Sequence, residues 1–171
     1  QNVYQHAIAS DSLNDVLRDG LNHAIGEWEA AALYGNFRFQ RVDIPEEADV
    51  VLTWSAQDLP VDVSECPPSG ASAYTTFCLN STGDRPPLYP LRNNTPGSVR
   101  FIVTVRTTEA GNPRRIRALV THELGHVLGL AQHSPNAADL MFRDPVLNES
   151  PNVRDRATLQ VLYQSRADIS P

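Results

Sequence analysis

Residues 112–141 read NPRRIRALVTHELGHVLGLAQHSPNAADLM. Asn112 is suited to accept N–H bonds as an N-cap, and Pro113 suits the first position of a helix. Apolar residues then recur at helical spacing: Ile116, Leu119, Val120, Leu124 and Val127, up to a stop at Gly129. Within this helix His122 and His126 stand one turn apart on one face. Two imidazoles so placed reach a single Zn²⁺ at roughly 2.0–2.1 Å each. Glu123 is rotated about 100° from His122, which lets it meet a water polarised by the metal without being a ligand. A catalytic zinc takes three protein ligands and keeps one position open. The third ligand cannot come from a straight helix. Gly129 permits a sharp turn, and His133 returns from the loop beyond it.

The pattern H-E-x-x-H alone arises by chance in helices. A glycine at the turn, a third histidine and Met141 eight residues later make coincidence a poor account. A closed structural zinc would need a fourth Cys or His, and none lies nearby in the sequence.

Further from the motif, Val99–Arg106 (VRFIVTVR) predicts a strand. Residues 55–97 hold seven of the thirteen prolines and predict a long irregular loop in which Ala73–Leu79 alone is strand-like. Asp49–Trp54 and the alternating Phe37–Gln40 predict strands, as does Val3–Ala9. Between them Leu13, Val16, Leu17, Leu21, Ala24, Ile25, Trp28 and Ala32 predict an amphipathic helix, capped at Asp11 or Ser12 and ended by Gly35. A last helix after Ser150-Pro151 is expected to turn Leu159, Leu162 and Tyr163 inward. Strand, long helix and further strands suggest a crossover α/β unit with parallel pairing. His6 and His23 read as ordinary residues, His23 on a solvent-side position.

The 171 residues fit one domain, and the net charge of −6 argues against a nucleic-acid partner. No apolar run is long enough to span a membrane. Arginine alone supplies the 14 basic side chains; lysine is absent. Cys66 and Cys78 read as one disulfide, with two buried free thiols as the alternative. Sequons at Asn80, Asn93 and Asn148, the last weakened by Pro151, favour a secreted protein. The opening at Gln1 reads as a mature or trimmed product.

The run His122-Glu-Leu-Gly-His-Val-Leu-Gly-Leu-Ala-Gln-His133-Ser134, followed by Asp139-Leu-Met-Phe142, resembles the metzincin zinc endopeptidases, whose motif is H-E-x-x-H-x-x-G-x-x-H with a Met-turn. Ser134 resembles the matrix-metalloproteinase (matrixin) branch. Trp28 near the end of a long helix, the Phe-x-Phe strand, Ala48-Asp-Val-Val-Leu-Thr-Trp54 and Leu159-Gln-Val-Leu-Tyr163 extend the resemblance over most of the chain. It is strong over residues 116–142.

The resemblance implies an α+β, zincin-like single catalytic domain: a twisted mixed five-stranded sheet, a long backing helix, an active-site helix and a C-terminal helix. Residues 1–129 would form the upper part and 130–171 a smaller lower part. It implies hydrolysis of polypeptide substrates, with His122, His126 and His133 as zinc ligands, Glu123 as general base and Met141 as an apolar floor. Substrate would pair with an edge strand, for which Ala73–Leu79 is the candidate. Phe142, Arg143, Pro145 and Val146 would wall a substrate pocket. A pro-segment or protein inhibitor is a further expected partner, and the chain is expected to be a monomer. Retained zinc binding without catalysis, or a processing protease or toxin with few targets, are the alternatives; the intact Glu123 speaks against the first.

The chain also departs from the pattern. One extra residue puts Gln132 at the strict ligand position, and imidazole suits zinc better than an amide, so His133 is expected to ligate across a small bulge at Ala131-Gln132. Residues 56–121 contain no histidine, so the second, structural zinc of matrixins is not expected. Calcium is left open, with no cluster of ligands to hold it. Arg143 stands where other metzincin branches carry a tyrosine ligand. No pro-segment cysteine is present to block the zinc.

Overall fold

The computed structural model describes residues 1–32, 37–54, 72–79, 99–143 and 148–164. Five strands form one sheet: β1 (Asn2–Gln5), β2 (Gln40–Arg41), β3 (Val50–Trp54), β4 (Ala73–Leu79) and β5 (Val99–Val105), in the order β2-β1-β3-β5-β4. The first four in that order run parallel, and β4 pairs antiparallel with β5, Thr75 opposite Val103. The described α-helices are α1 (Asp11–Ala31), α2 (Pro113–Val127) and α3 (Val153–Gln164). The class is mixed α/β, and the expected parallel crossover is present. None of these helices is long and apolar enough to cross a membrane.

β3 lies between two parallel neighbours that take up both its edges, and all five of its residues are buried. The strand forecast as Val3–Ala9 stops at Gln5 because the Asn14 carboxamide takes both backbone groups of Ile8, at 3.0 and 2.8 Å. The strand forecast at Phe37–Gln40 is instead Gln40–Arg41: the Phe39 N–H donates to Glu29 Oε1 at 2.9 Å and leaves the ladder, while the Phe39 ring is buried. The N-cap of α1 is Ser10, one residue before the forecast, and its hydroxyl makes no capping bond.

α1 and α2 pack face to face over the sheet. A Cβ at Gly20 would lie 2.8 Å from Ile116 Cγ2, so glycine sets this close approach. Trp28, fully buried, donates its indole N–H to the Thr121 carbonyl at 2.7 Å. α3 departs from forecast in two respects. Its cap is Asn152: Asn152 Oδ1 accepts from the N–H groups of Arg154 and Asp155, and Asp155 Oδ2 accepts from the Asn152 N–H at 2.9 Å, a reciprocal capping box. Of the three residues expected to turn inward only Leu159 is buried, whereas Leu162 and Tyr163 are 46% and 38% exposed. Those two cover the end of α2 from outside, with the Tyr163 hydroxyl donating to the Leu128 carbonyl at 3.2 Å. Gly35, the Cys66–Cys78 bridge, the sequons at Asn80 and Asn93, and the pocket candidates Pro145 and Val146 lie outside the described residues.

Candidate metal centre

α2 opens as forecast, with Asn112 Oδ1 accepting the Arg115 N–H at 3.2 Å and Pro113 in the first turn. It ends in a Schellman turn: Gly129 N–H bonds the His126 carbonyl and Leu130 N–H bonds the Gly125 carbonyl, each at 3.0 Å. Gly129 has φ +97°, a conformation that a side chain would strain. The chain then doubles back, and Ser134 N–H reaches the Met141 carbonyl at 2.7 Å.

This path brings His122, His126 and His133 together, with one ligand atom from each lying within 4.8 Å of the others. Ring centroids are 4.8, 5.3 and 5.0 Å apart for the pairs 122–126, 122–133 and 126–133. The outer nitrogens of the two helical histidines face backbone carbonyls, His122 Nδ1 at 2.8 Å from Leu140 O and His126 Nδ1 at 2.7 Å from Leu130 O. A carbonyl accepts only, so each Nδ1 carries the proton, and a neutral ring then presents a bare Nε2 lone pair. These two Nε2 atoms stand 3.1 Å apart. Facing lone pairs with no proton between them fit a cation. Desolvation lowers the pKa of both His126 and His133, helped by the charge of its neighbour His133 in one case and of Arg143 in the other, so both rings are held toward their neutral form.

Glu123 is 4% exposed. Burial pushes its carboxyl up to about 7, against the opposing hydrogen bond from Thr75. The Thr75 hydroxyl, on β4, lies 2.6 Å from Glu123 Oε2 and 3.1 Å from the Glu123 carbonyl. Thr75 carries no sequence signal; sheet register alone brings it here.

Met141 is buried under α2. A Cβ on Gly125 would fall 2.4 Å from its Sδ and 2.9 Å from the Trp28 ring, so glycine inside the His-Glu-Leu-Gly-His run is a packing requirement. The turn carrying Met141 is fixed by Asp155, whose carboxylate accepts the N–H groups of Leu140 at 2.9 Å and Met141 at 3.3 Å. Asp139, also buried, accepts from Ser134, Asn152 and Arg154. Asn148, forecast as a sequon, uses its amide on the carbonyls of Ala137 and Asp139, each at 3.2 Å. The bracing roles of Asp139, Asn148 and Asp155 escaped the sequence reading, although the Asn152-x-x-Asp155 spacing of a capping box was there to be read.

Phe142 is half-buried and bridges Ser134, and Arg143 is exposed. A cavity of about 500 Å³ opens beside His133, between the loop and α3, lined by Leu130, His133, Pro135, Met141, Arg154 and Leu162 among others; Phe142 and Arg143 do not line it. His23, forecast as solvent-side, is half-buried with Nε2 at 2.9 Å from the Glu149 carbonyl. His6 stays apart from the triad, edge-on to Tyr4 at 6.4 Å. Compared with known proteins, the chain matches no protein-family model and no curated protein.

Proposed function

We propose that this chain is a secreted, zinc-dependent endopeptidase with a metzincin, matrixin-like catalytic domain. The observation that carries the reading is the triad: two imidazoles with their outer nitrogens tied to carbonyls, Nε2 atoms 3.1 Å apart, and a third imidazole from beyond a glycine turn. Zinc–nitrogen bonds of roughly 2.0–2.1 Å in a tetrahedral site put nitrogens about 3.3 Å apart, close to this spacing. Among the described residues no fourth His, Cys or carboxylate joins the group, as an open catalytic site requires.

Zinc, when bound, supplies a Lewis acid that acidifies water and polarises the scissile carbonyl. His122, His126 and His133 hold it. Glu123 removes the proton of the attacking water and hands it to the departing amine, as general base and then general acid. Its Oε2 is held by the Thr75 hydroxyl, so Oε1 is the oxygen left for this transfer. Burial favours a carboxyl that can exchange a proton near neutrality. β4 is the terminal strand of the sheet and reaches Glu123 through Thr75. A peptide added along its outer edge would therefore run past the site as an extended strand. Phe142 and Arg143 border this path in the reading, as walls of a side-chain pocket.

Glu123→Ala tests the mechanism. It should bind zinc and fold as wild type while casein cleavage falls by at least about 10²–10⁴-fold. Unchanged cleavage in the variant would remove Glu123 from its role. Zinc retained with no cleavage by the wild type would favour a zinc-bearing binding module.

A further inference from the structure

Of the three imidazoles, His133 is the one whose ring does not secure its own position. His122 and His126 are carried by α2 and tethered through Nδ1. His133 sits on an exposed part of the loop, stacked on His122 at an interplanar angle of 19°, with no hydrogen bond from its ring among the described residues. Its placement therefore falls to the backbone that follows it. Ser134 is held at two points: its N–H by the Met141 carbonyl, and its hydroxyl by Asp139 Oδ2 at 2.6 Å.

Asp139 is itself 3% exposed, and a carboxylate so buried stays ionised only when paired. Its partners come from the start of α3. Arg154 Nε lies 2.8 Å from Oδ1 and 3.1 Å from Oδ2, Arg154 Nη2 also bonds Oδ1, and Asn152 Nδ2 is 2.6 Å from Oδ1. A guanidinium in this fork geometry restrains the orientation of the carboxylate as well as its charge. A ligand held in place before binding loses less freedom when the metal arrives.

We propose that Asp139 and Arg154 form a clamp from α3 that positions His133 for the metal, so that metal affinity depends on this ion pair. The inference rests on the reading of the triad as a metal site. The full chain is stripped of metal, and Zn²⁺ affinity is measured by competition with a chromophoric chelator. The visible absorption of bound Co²⁺ reports ligand geometry, and urea unfolding reports stability. Asp139→Ala and Arg154→Gln should each weaken Zn²⁺ binding about tenfold, the lower end for groups that support metal ligands, and change the Co²⁺ spectrum. Arg154→Lys, which keeps the charge but not the fork, should recover only part of the affinity. Arg117→Ala, which breaks the Arg117–Asp19 pair between α2 and α1, should leave both readouts unchanged. Arg154→Gln changes a side chain that is 58% exposed and keeps the test open should Asp139→Ala not fold. Wild-type affinity and spectrum in folded Arg154→Gln, or equal weakening in Arg117→Ala, would overturn the clamp. A wild-type chain that binds no Zn²⁺ would overturn the metal site and the clamp with it.

Discussion

At the scale of single residues, the sharpest question is which side chain completes the triad. Gln132 occupies the strict motif position, yet it is His133 whose ring stacks on His122 at 5.3 Å and meets His126 at 5.0 Å. The Ala131 N–H bonds back to the Gly129 carbonyl at 2.8 Å, a tight turn that takes up the extra residue. His133→Ala should therefore weaken zinc binding sharply and Gln132→Ala should leave it near wild type, as read by metal titration of the two purified variants. The reverse order would reassign the ligand. The triad was legible because helical spacing, a glycine and a third histidine are local signals. Thr75 was not: it lies 48 positions from Glu123, and an ordinary strand threonine gives no sign of the carboxylate it will meet.

Between elements, the loop of residues 130–142 is held from two sides. α2 grips it through the Schellman turn and the two histidine–carbonyl bonds, and the start of α3 grips it through Asn152, Arg154 and Asp155. The Arg154 guanidinium, with Ser134 and Asn152 assisting, holds the Asp139 carboxyl well below the usual carboxylate range. The folded state thus favours ionised Asp139. That stabilisation is complete above the unfolded carboxyl's pKa of about 3.9 and is lost as pH falls from there through the depressed folded value. In metal-free protein, Asp139→Asn should be less stable than wild type by a constant margin between about pH 5 and 7, and the margin should shrink below about pH 4. Urea unfolding across that range checks it; a margin unchanged down to about pH 2 would mean that ionised Asp139 contributes nothing. Sequence predicted α2 and α3 but missed this bracing, because its polar contacts join short-range capping signals to partners more than a dozen residues away.

Over the whole molecule, the sheet presents α2 along one face and leaves β4 at the end of the strand order. Alternating and continuous apolar runs made β3 and β5 readable, since burial is written in residue type. The limits of β1 and β2 were not readable. Asn14 and Glu29, both on α1, take backbone groups of Ile8 and Phe39 that the ladder would otherwise use. The composition is equally divided in what it reveals: three of the five histidines gather at one centre and the single methionine packs against Gly125, which lies between two of them in the chain, while the absence of lysine has no structural account. The proposed activity is metal-dependent cleavage of internal peptide bonds. Its most direct test is digestion of a mixed peptide library by the purified chain, with and without a zinc chelator. Cuts within peptides should cease with the chelator and return when zinc is restored. Cleavage indifferent to the chelator, or none in the zinc-loaded protein, would contradict it.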